Sequence, residues 1–141
     1  MPMTKIYLRA GSTSEERQRV SDAIHRTLIE VLDIPADDRY HVFHELESDQ
    51  LVSAPVAFGL ERRRRAVFMQ YYFAQRPVET LNQLYRATVQ NLQELTDLEP
   101  RDIYINVVPS PSENWWAAGR LLDPDTGFDA RMNADALPGA R

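Results

Sequence analysis

The sequence predicts an α+β fold in which the order strand–helix–strand occurs twice. Two segments with apolar residues at helical spacing, about 14–32 and 78–95, each lie between segments rich in β-branched and aromatic residues. The halves share local detail, since Asp38 and Asp102 stand 64 residues apart in similar surroundings. Two right-handed β-α-β units can pair about a pseudo-twofold axis into one four-stranded mixed sheet with both helices on one face.

The first unit begins with a strand over about 4–9, whose residues alternate in character. A helix follows over about 14–32. Ser12 and Thr13 each precede a glutamate by three residues, so either pair can form a capping box at the start of this helix. A strand over about 40–46 completes the unit.

The second unit begins with residues 66–73, a nearly continuous apolar and aromatic run that is typical of a strand buried on both faces. The helix over about 78–95 carries an apolar stripe, and a strand over about 103–108 follows it. Between the units, residues 48–65 lack periodicity and contain proline and glycine, which favours a loop or a short hairpin.

We expect a single domain over residues 1–141, because domains usually contain ~100–150 residues. Its parts are repeat one over about 2–47, the linker or hairpin over about 48–65, repeat two over about 66–109 and a C-terminal arm over about 110–141. The sheet face opposite the helices needs cover, which favours an oligomer.

The composition excludes several classes of function. A net charge of −5 and a pI of about 5.2 argue against a general nucleic-acid binder, although a local basic pocket for a small anion remains compatible with them. The chain has no cysteine, which excludes disulfides, thiolate metal sites and cysteine nucleophiles. No apolar run suggests a membrane span or a signal peptide, so a cytoplasmic location is expected.

Pro2 is the first candidate for a catalytic group. Methionine is generally removed before a small residue, and removal of Met1 would leave a secondary amine at the chain terminus. This amine can act as a general base, act as a general acid when protonated, or attack a carbonyl to form an iminium ion. A Met-Pro start can also be without catalytic meaning. A strand beginning at residue 4 would, however, fix the terminus against the sheet.

Asp38 is the second candidate, within Asp37-Asp38-Arg39-Tyr40 in the turn between the first helix and the second strand. Parallel strands begin at the same edge of a sheet, so this turn and Pro2 can be neighbours. Aspartate is also common in turns for purely structural reasons.

Arg76 is the third candidate, since it follows the apolar strand and precedes the second helix. Arginine binds a carboxylate through a planar two-pronged contact, although a helix-flanking arginine can also be merely solvated. Arg62 to Arg65 are expected to be solvated or to lie at an interface. One of them can reach an active site across a subunit boundary.

The tryptophans Trp115 and Trp116, together with Phe128, are apolar groups in a polar tail. They are expected to pack against a neighbouring subunit or to wall a pocket. His41 and His44 differ by three residues, which places them on opposite faces of a strand. No histidine spacing suggests a metal site, and no cofactor is expected.

Together these residues resemble a tautomerase superfamily protein, most closely the malonate semialdehyde decarboxylase group. The match consists of Met-Pro at the start, residues 35–40 after the first helix, Arg76 before the second helix and the stretch 114–116, and it covers roughly residues 1–120. The resemblance implies a homotrimer of tautomerase-like β-α-β-β-α-β subunits, with the amino-terminal proline in a pocket near subunit contacts.

The resemblance also implies roles for residues. In the decarboxylase group the proline is a cationic acid or forms an iminium ion, and the aspartate that matches Asp38 positions the proline or a water. Arginines hold the substrate carboxylate, and one of them matches Arg76. That group has a second arginine two residues earlier, where this chain has Ala74, which weakens carboxylate orientation.

The sequence therefore predicts a cofactor-free enzyme acting on a small carboxylate-bearing carbonyl substrate, by enol–keto tautomerisation or decarboxylation at Pro2. The residues expected to contact the substrate are Arg76, Tyr40, Trp115 and Trp116. One alternative is a hydratase or hydrolytic dehalogenase of an unsaturated acid, with water activated by Asp38. Another is a non-catalytic trimeric or dimeric binding module that keeps Met1. Neither a nucleic acid nor a membrane is expected as a partner.

Overall fold

The computed structural model describes residues 2–61, 63, 65–117 and 119–123. The helices and the strands of the main sheet are β1 (Met3–Arg9), α1 (Ser14–Leu32), β2 (His41–Leu46), β5 (Val67–Phe73), α2 (Val78–Leu95) and β6 (Ile103–Pro109). Four short strands form two small hairpins, β3 (Val56–Ala57) with β4 (Leu60–Glu61) and β7 (Trp116–Ala117) with β8 (Arg120–Leu121). Residues 124–141 of the expected C-terminal arm, including Phe128, lie outside the described residues.

The four long strands form one mixed sheet in the order β2-β1-β5-β6. β1 pairs in parallel with β2, β5 pairs in parallel with β6, and the central pair β1–β5 is antiparallel. Both helices pack on the same face, because their buried residues belong to one core with those of the strands: Ile24, Leu28, Leu84, Leu92, Ile6 and Met69. The predicted α+β fold with two β-α-β units is confirmed.

A pseudo-twofold axis passes between the two helices. Thr27 of α1 and Asn91 of α2 are 64 residues apart and touch, since the side-chain amide of Asn91 donates to the hydroxyl of Thr27 at 2.9 Å. The same offset relates the two helix starts, Ser14 and Val78. The repeat seen in the sequence is therefore a repeat of structure.

Thr13, and not Ser12, caps α1. The Thr13 hydroxyl accepts from the backbone N–H of Glu16 at 3.1 Å, and the Glu16 carboxylate accepts from the N–H of Thr13 at 2.8 Å. This completes the capping box, in which two otherwise unpaired N–H groups are satisfied. Ser12 instead hydrogen-bonds with Glu45 and Arg17.

The strand at 66–73 differs from its prediction in one respect. Only one of its faces is buried, because both helices cover the same side of the sheet. On the other side of β5 Phe68 is 37% exposed. We call this side the open face of the sheet. Within the described residues no helix has both the length and the apolar character that a membrane span requires.

Candidate functional site

Four strand ends meet at one edge of the sheet, where β1 and β2 begin and β5 and β6 end. Thr4 pairs with His41 in the parallel ladder of β1 and β2, and Met3 pairs with Tyr72 in the antiparallel ladder of β1 and β5. Phe73 pairs with Pro109 at the end of β5 and β6. We call this the amino-terminal edge. The connections that carry the sequence-predicted site residues leave or enter the sheet here.

Pro2 is buried at the amino-terminal edge, directly before β1. The strand that follows is fixed at its first residues, since the backbone N–H of Thr4 donates to the carbonyl of Tyr40 at 3.0 Å. This hydrogen bond ties the start of β1 to the turn that contains Asp38. Met1 lies outside the described residues.

Asp38 is 8% exposed, and its Oδ2 is buried with no hydrogen-bond partner among the described residues. Its turn is held by the backbone, because the N–H of Asp38 donates to the carbonyl of Pro35 at 3.0 Å. Burial raises the pKa of the Asp38 carboxyl, and the charge of Asp37 adds to the rise. The positive charges of the amino terminus and of His25 act in the opposite direction. The pKa of this buried carboxyl therefore depends on the charged groups around it.

Arg76 lies in the connection between β5 and α2, which leaves the sheet at the same edge. Its side chain is half-buried, and Nη1 donates to the carbonyls of Ala74 and Gln75, both at 3.1 Å. The guanidinium lies 5.9 Å from the ring centre of Phe73. These contacts hold the arginine close to the end of β5.

The aromatic candidates are more exposed than the charged ones. Tyr40 is 51% exposed, and it contributes its backbone carbonyl to the tie with Thr4. Trp116 is 70% exposed in the small hairpin after β6, whereas Trp115 is half-buried. Of the two tryptophans, Trp115 is therefore the better placed to exclude solvent within a single chain.

Two histidines that were not among the predicted site residues lie between α1 and the amino-terminal edge. Nε2 of His25 hydrogen-bonds to the carbonyl of Ala36 at 2.7 Å, and Nδ1 of His41 hydrogen-bonds with Ser21 at 2.8 Å. The two rings are 6.2 Å apart. Burial, followed by the positive charges of Arg39 and His25, lowers the pKa of His41 to about 4. The signal in the sequence was the position of His25 within the apolar stripe of α1, since a polar side chain is buried there only if it finds a hydrogen-bond partner.

The arginine run before β5 lies at the opposite edge of the sheet. Arg63 pairs with Asp102 and Glu99, and Arg65 pairs with Asp97. Arg63 and Arg65 are therefore engaged within their own chain, and Arg62 and Arg64 lie outside the described residues.

A cavity of about 740 Å³ also lies at that opposite edge, and it includes neither Pro2 nor Asp38. Its lining comes from the ends of β1 and β2, the start of α1 and the loop after α2. Among the described residues there is no group of three or more histidines and carboxylates close enough together to hold a metal ion.

Comparison with known proteins points to one family. A family model for a tautomerase enzyme matches residues 38–116, and a second model with the same description matches residues 2–61. The probable tautomerase YusQ of Bacillus subtilis (strain 168) is 26% identical over 116 residues, which cover 82% of this chain and 91% of that protein.

Solved structures share the fold. A structure of malonate semialdehyde decarboxylase has a TM-score of 0.77 at 21% identity, covering 96% of this chain and 98% of that one. The structure of N1, a member of the cis-3-chloroacrylic acid dehalogenase family, has a TM-score of 0.71 at 21% identity, covering 86% of this chain and 85% of that one. The structure of a fused 4-OT wild type symmetric trimer has a TM-score of 0.68 at 15% identity, covering 84% of this chain and 94% of that one. Since the first family model spans more than half of the sequence, the chain belongs to the tautomerase superfamily, as its residues predicted.

Proposed function

We propose that this tautomerase superfamily enzyme needs no cofactor and uses Pro2, freed by removal of Met1, for enol–keto tautomerisation or decarboxylation of a small oxo acid. The observation that carries the proposal is the position of Pro2. It is buried at the amino-terminal edge, and its strand is tied to the turn of Asp38. A free amine at this place lies within a folded site and not on a frayed end.

The proposed chemistry follows from a secondary amine at a buried position. A free α-amino group has an ordinary pKa of ~7.7–8.0; burial lowers it and a nearby carboxylate raises it. The neutral amine of Pro2 takes the proton of an enol hydroxyl and, as the cationic amine, delivers it to the enol carbon; in the reverse direction it takes a proton from the carbon next to the carbonyl and delivers it to the oxygen. With a β-keto acid, the cationic amine polarises the carbonyl while the bond to the carboxylate carbon breaks and carbon dioxide leaves. Alternatively, the neutral amine attacks the carbonyl and water leaves, which gives an iminium ion that accepts the electrons released with carbon dioxide. The resulting enamine is then protonated at carbon and hydrolysed by water, which restores the free amine.

The other proposed site residues orient the amine, bind the substrate and exclude solvent. Asp38 orients the amine of Pro2 or activates water through Oδ2, which has no hydrogen-bond partner in the part of the chain that the structure describes. Arg76 binds the substrate carboxylate, Tyr40 lines the entrance, and Trp115 or Trp116 excludes solvent. The solved malonate semialdehyde decarboxylase supports the role of the proline, because that enzyme was also studied with its first residue, a proline, replaced by alanine.

We further propose a homotrimer in which the open face of the sheet lies in subunit contacts. The face carries an aromatic and polar network: Tyr7 stacks on His44 at 4.7 Å, and Tyr7 and Tyr72 donate to Gln70 at 3.3 and 3.2 Å. The likeness to a trimeric solved structure supports this assembly. Native mass spectrometry tests it, and a monomer at micromolar concentration would contradict it.

The enzymatic proposal is tested with the wild type and Pro2→Ala. Intact mass first establishes whether Met1 has been removed. Phenylenolpyruvate ketonisation and β-keto acid decarboxylation are then measured, and Pro2→Ala is expected to lose most of the activity that the wild type shows. Pro100→Ala, before β6 and at the opposite edge of the sheet, is the matched control for loss of a proline. Full activity in Pro2→Ala would rule the mechanism out.

A second candidate function is hydration or hydrolytic dehalogenation of an unsaturated acid. The buried Oδ2 of Asp38 favours it, because this atom has no partner over the residues described and a carboxylate without a partner can activate water. The likeness in fold to N1 and to a decarboxylase with hydratase activity adds support. Turnover of 3-haloacrylates or alkynoates without ketonisation would select this function. A protein that retains Met1 would instead favour the non-catalytic binding module, because Pro2 would then be an amide.

A further inference from the structure

Phe73 stands at the end of β5, between the chain positions of two proposed site residues, Pro2 and Arg76. Met3 pairs with Tyr72 in the ladder of β1 and β5, so Pro2 and Phe73 are the next residues along these two strands. Both are buried, and Phe73 belongs to the core beneath the helices. The ladder therefore brings Phe73 to the start of β1, at the amino-terminal edge.

Phe73 is fixed in both the sheet and the core. Its carbonyl accepts from the backbone N–H of Ser110 at 2.7 Å, and it pairs with Pro109 in the ladder of β5 and β6. Its ring lies 6.3 Å from the ring of Tyr71, whose hydroxyl hydrogen-bonds with that of Thr88 on α2 at 2.9 Å. Because the ring is 4% exposed and packed in this way, it offers a rigid surface to its neighbours.

The guanidinium of Arg76 rests on this surface. Its central carbon lies over the Phe73 ring, 5.9 Å from the ring centre. A cation within about 6 Å of the centre is attracted by the negative face of the ring. Nη1 also donates to the carbonyls of Ala74 and Gln75, both at 3.1 Å. The ring and the two carbonyls together hold the guanidinium in one orientation.

These hydrogen bonds use only one nitrogen of the Arg76 guanidinium. Within the described residues Nε and Nη2 have no hydrogen-bond partner, and no carboxylate forms an ion pair with this arginine. The parallel N–H groups of Nε and Nη2 match the two oxygens of a carboxylate. Since the side chain is only half-buried, a small acid can reach this edge of the guanidinium.

We propose that Phe73 is a positioning residue for Arg76: its ring, with the carbonyls of Ala74 and Gln75, orients the guanidinium so that the Nε–Nη2 edge binds the substrate carboxylate. The inference rests on the proposed function. It deepens that function by naming the edge of the arginine that binds the acid and the groups that hold this edge in place. Phe73 acts through Arg76 and needs no contact with the substrate.

The first test replaces Phe73 in the full chain by phenylalanines that carry one to five fluorine atoms on the ring. Fluorine withdraws electrons from the ring face and weakens its attraction for a cation, while the shape of the side chain changes little. KM for phenylenolpyruvate is expected to rise stepwise, to about threefold with five fluorine atoms. KM for the methyl ester and kcat should stay unchanged, because neither depends on binding a carboxylate.

The matched control is the same series at Phe43, a half-buried phenylalanine of β2 that packs against the core. It is expected to leave all of these constants unchanged. A KM that does not respond to fluorination of Phe73, or that rises equally for the acid and the ester, overturns the proposal.

The second test follows the Nε–H signal of Arg76 by NMR and does not require activity. In Phe73→Leu the signal is expected to shift, because leucine is apolar but has no ring current, whereas Phe43→Leu should leave it in place. Titration with pyruvate, a simple oxo acid, is expected to move the signal in the wild type and to give about a threefold higher Kd in Phe73→Leu. A signal that ignores either Phe73→Leu or pyruvate contradicts the proposal.

A double variant separates positioning from a general structural effect. If Phe73 acts through Arg76, Phe73→Leu should add nothing to the Kd for pyruvate once Arg76→Ala is present, and equal effects in both backgrounds would overturn the proposal. The pyruvate titration decides the role of Phe73 even if Pro2→Ala proves fully active and the proposed function fails.

Discussion

Asp38 and Asp102 stand 64 residues apart, each in the connection from a helix to a parallel strand, but only Asp102 is paired with an arginine. Both oxygens of Asp102 accept from Arg63, and one also accepts from the backbone N–H of Glu99. Oδ2 of Asp38 has no hydrogen-bond partner within the described residues. The carboxylate of the second repeat is therefore held by structural contacts, whereas that of the first repeat has the unpaired oxygen that the proposed role of Asp38 requires.

Asp38→Asn is expected to raise the free energy of unfolding at neutral pH by about 1 kcal/mol, because it removes a buried carboxylate; single stabilising substitutions are commonly of this size. Burial raises the pKa of Asp38, so the folded chain holds this proton more tightly than the unfolded chain does. That advantage is full below the ordinary pKa of ~3.9 and is lost as the pH rises through the folded-state pKa. Thermal unfolding between pH 3 and pH 8 should therefore show a Tm difference from wild type that grows with pH.

The matched control for that experiment is Asp102→Asn, which should have the opposite effect. Hydrogen bonding from Arg63 lowers the pKa of Asp102, so its ion pair stabilises the fold above the unfolded-state pKa and is lost as the pH falls. Because Arg63 remains partly exposed, the expected loss at pH 7 is about 1–3 kcal/mol, below that of a fully buried pair. Equal effects of the two substitutions would contradict the contrast between the repeats.

Thr13→Ala is expected to lower the free energy of unfolding by about 1 kcal/mol, because the N–H of Glu16 loses its acceptor at the start of α1. Thr13→Ser keeps the hydroxyl and should not lower the free energy of unfolding, because serine is at least as good as threonine at the start of a helix. Urea unfolding of the two variants measures the difference. If Thr13→Ser were as damaging as Thr13→Ala, the hydroxyl would not be the stabilising group.

The sequence predicted the helices and long strands well because each carries a long, regular apolar pattern. α1 and α2 begin and end where the spacing placed them, and the 64-residue repeat indicated the sheet. The contrast between Asp38 and Asp102 was beyond prediction, because it depends on the path by which the linker brings Arg63 back to β6. In the sequence this arginine is one of four in a row, with nothing to mark its partner.

The site was predictable in its backbone and less so in its side chains. Parallel strands begin at a common edge, so the tie between Thr4 and Tyr40 follows from topology. The hydrogen bond between His25 and the carbonyl of Ala36 could not be predicted in this way, because the position of a histidine in an apolar stripe does not indicate which loop residue will cover it.

Thr27→Val is expected to cost about 1–2 kcal/mol, since the Asn91 amide would lose one acceptor in a buried position at the pseudo-twofold axis. Asn91 also donates to Glu30 at 3.1 Å, which limits the loss. The double variant Thr27→Val with Asn91→Leu removes the donor as well and should recover part of the stability. Urea unfolding of the two single variants and the double variant measures the coupling, and strict additivity would mean that the two side chains do not interact.

Arg76→Ala is expected to raise KM for a substrate carboxylate about 10- to 100-fold, because charge-assisted hydrogen bonds are worth ~1.5–3 kcal/mol. Lysine at this position keeps the charge but not the two-pronged geometry, so Arg76→Lys should recover only part of the affinity. Arg86→Ala removes an exposed arginine of α2 and serves as the control for lost charge. Steady-state kinetics with an oxo acid and its methyl ester separate the loss of carboxylate binding from a general loss of activity, because the ester has no carboxylate. If Arg76→Ala left KM unchanged for the acid, or raised it equally for the ester, the carboxylate would be bound elsewhere, and the contacts of Arg76 with Ala74 and Gln75 would be its whole role.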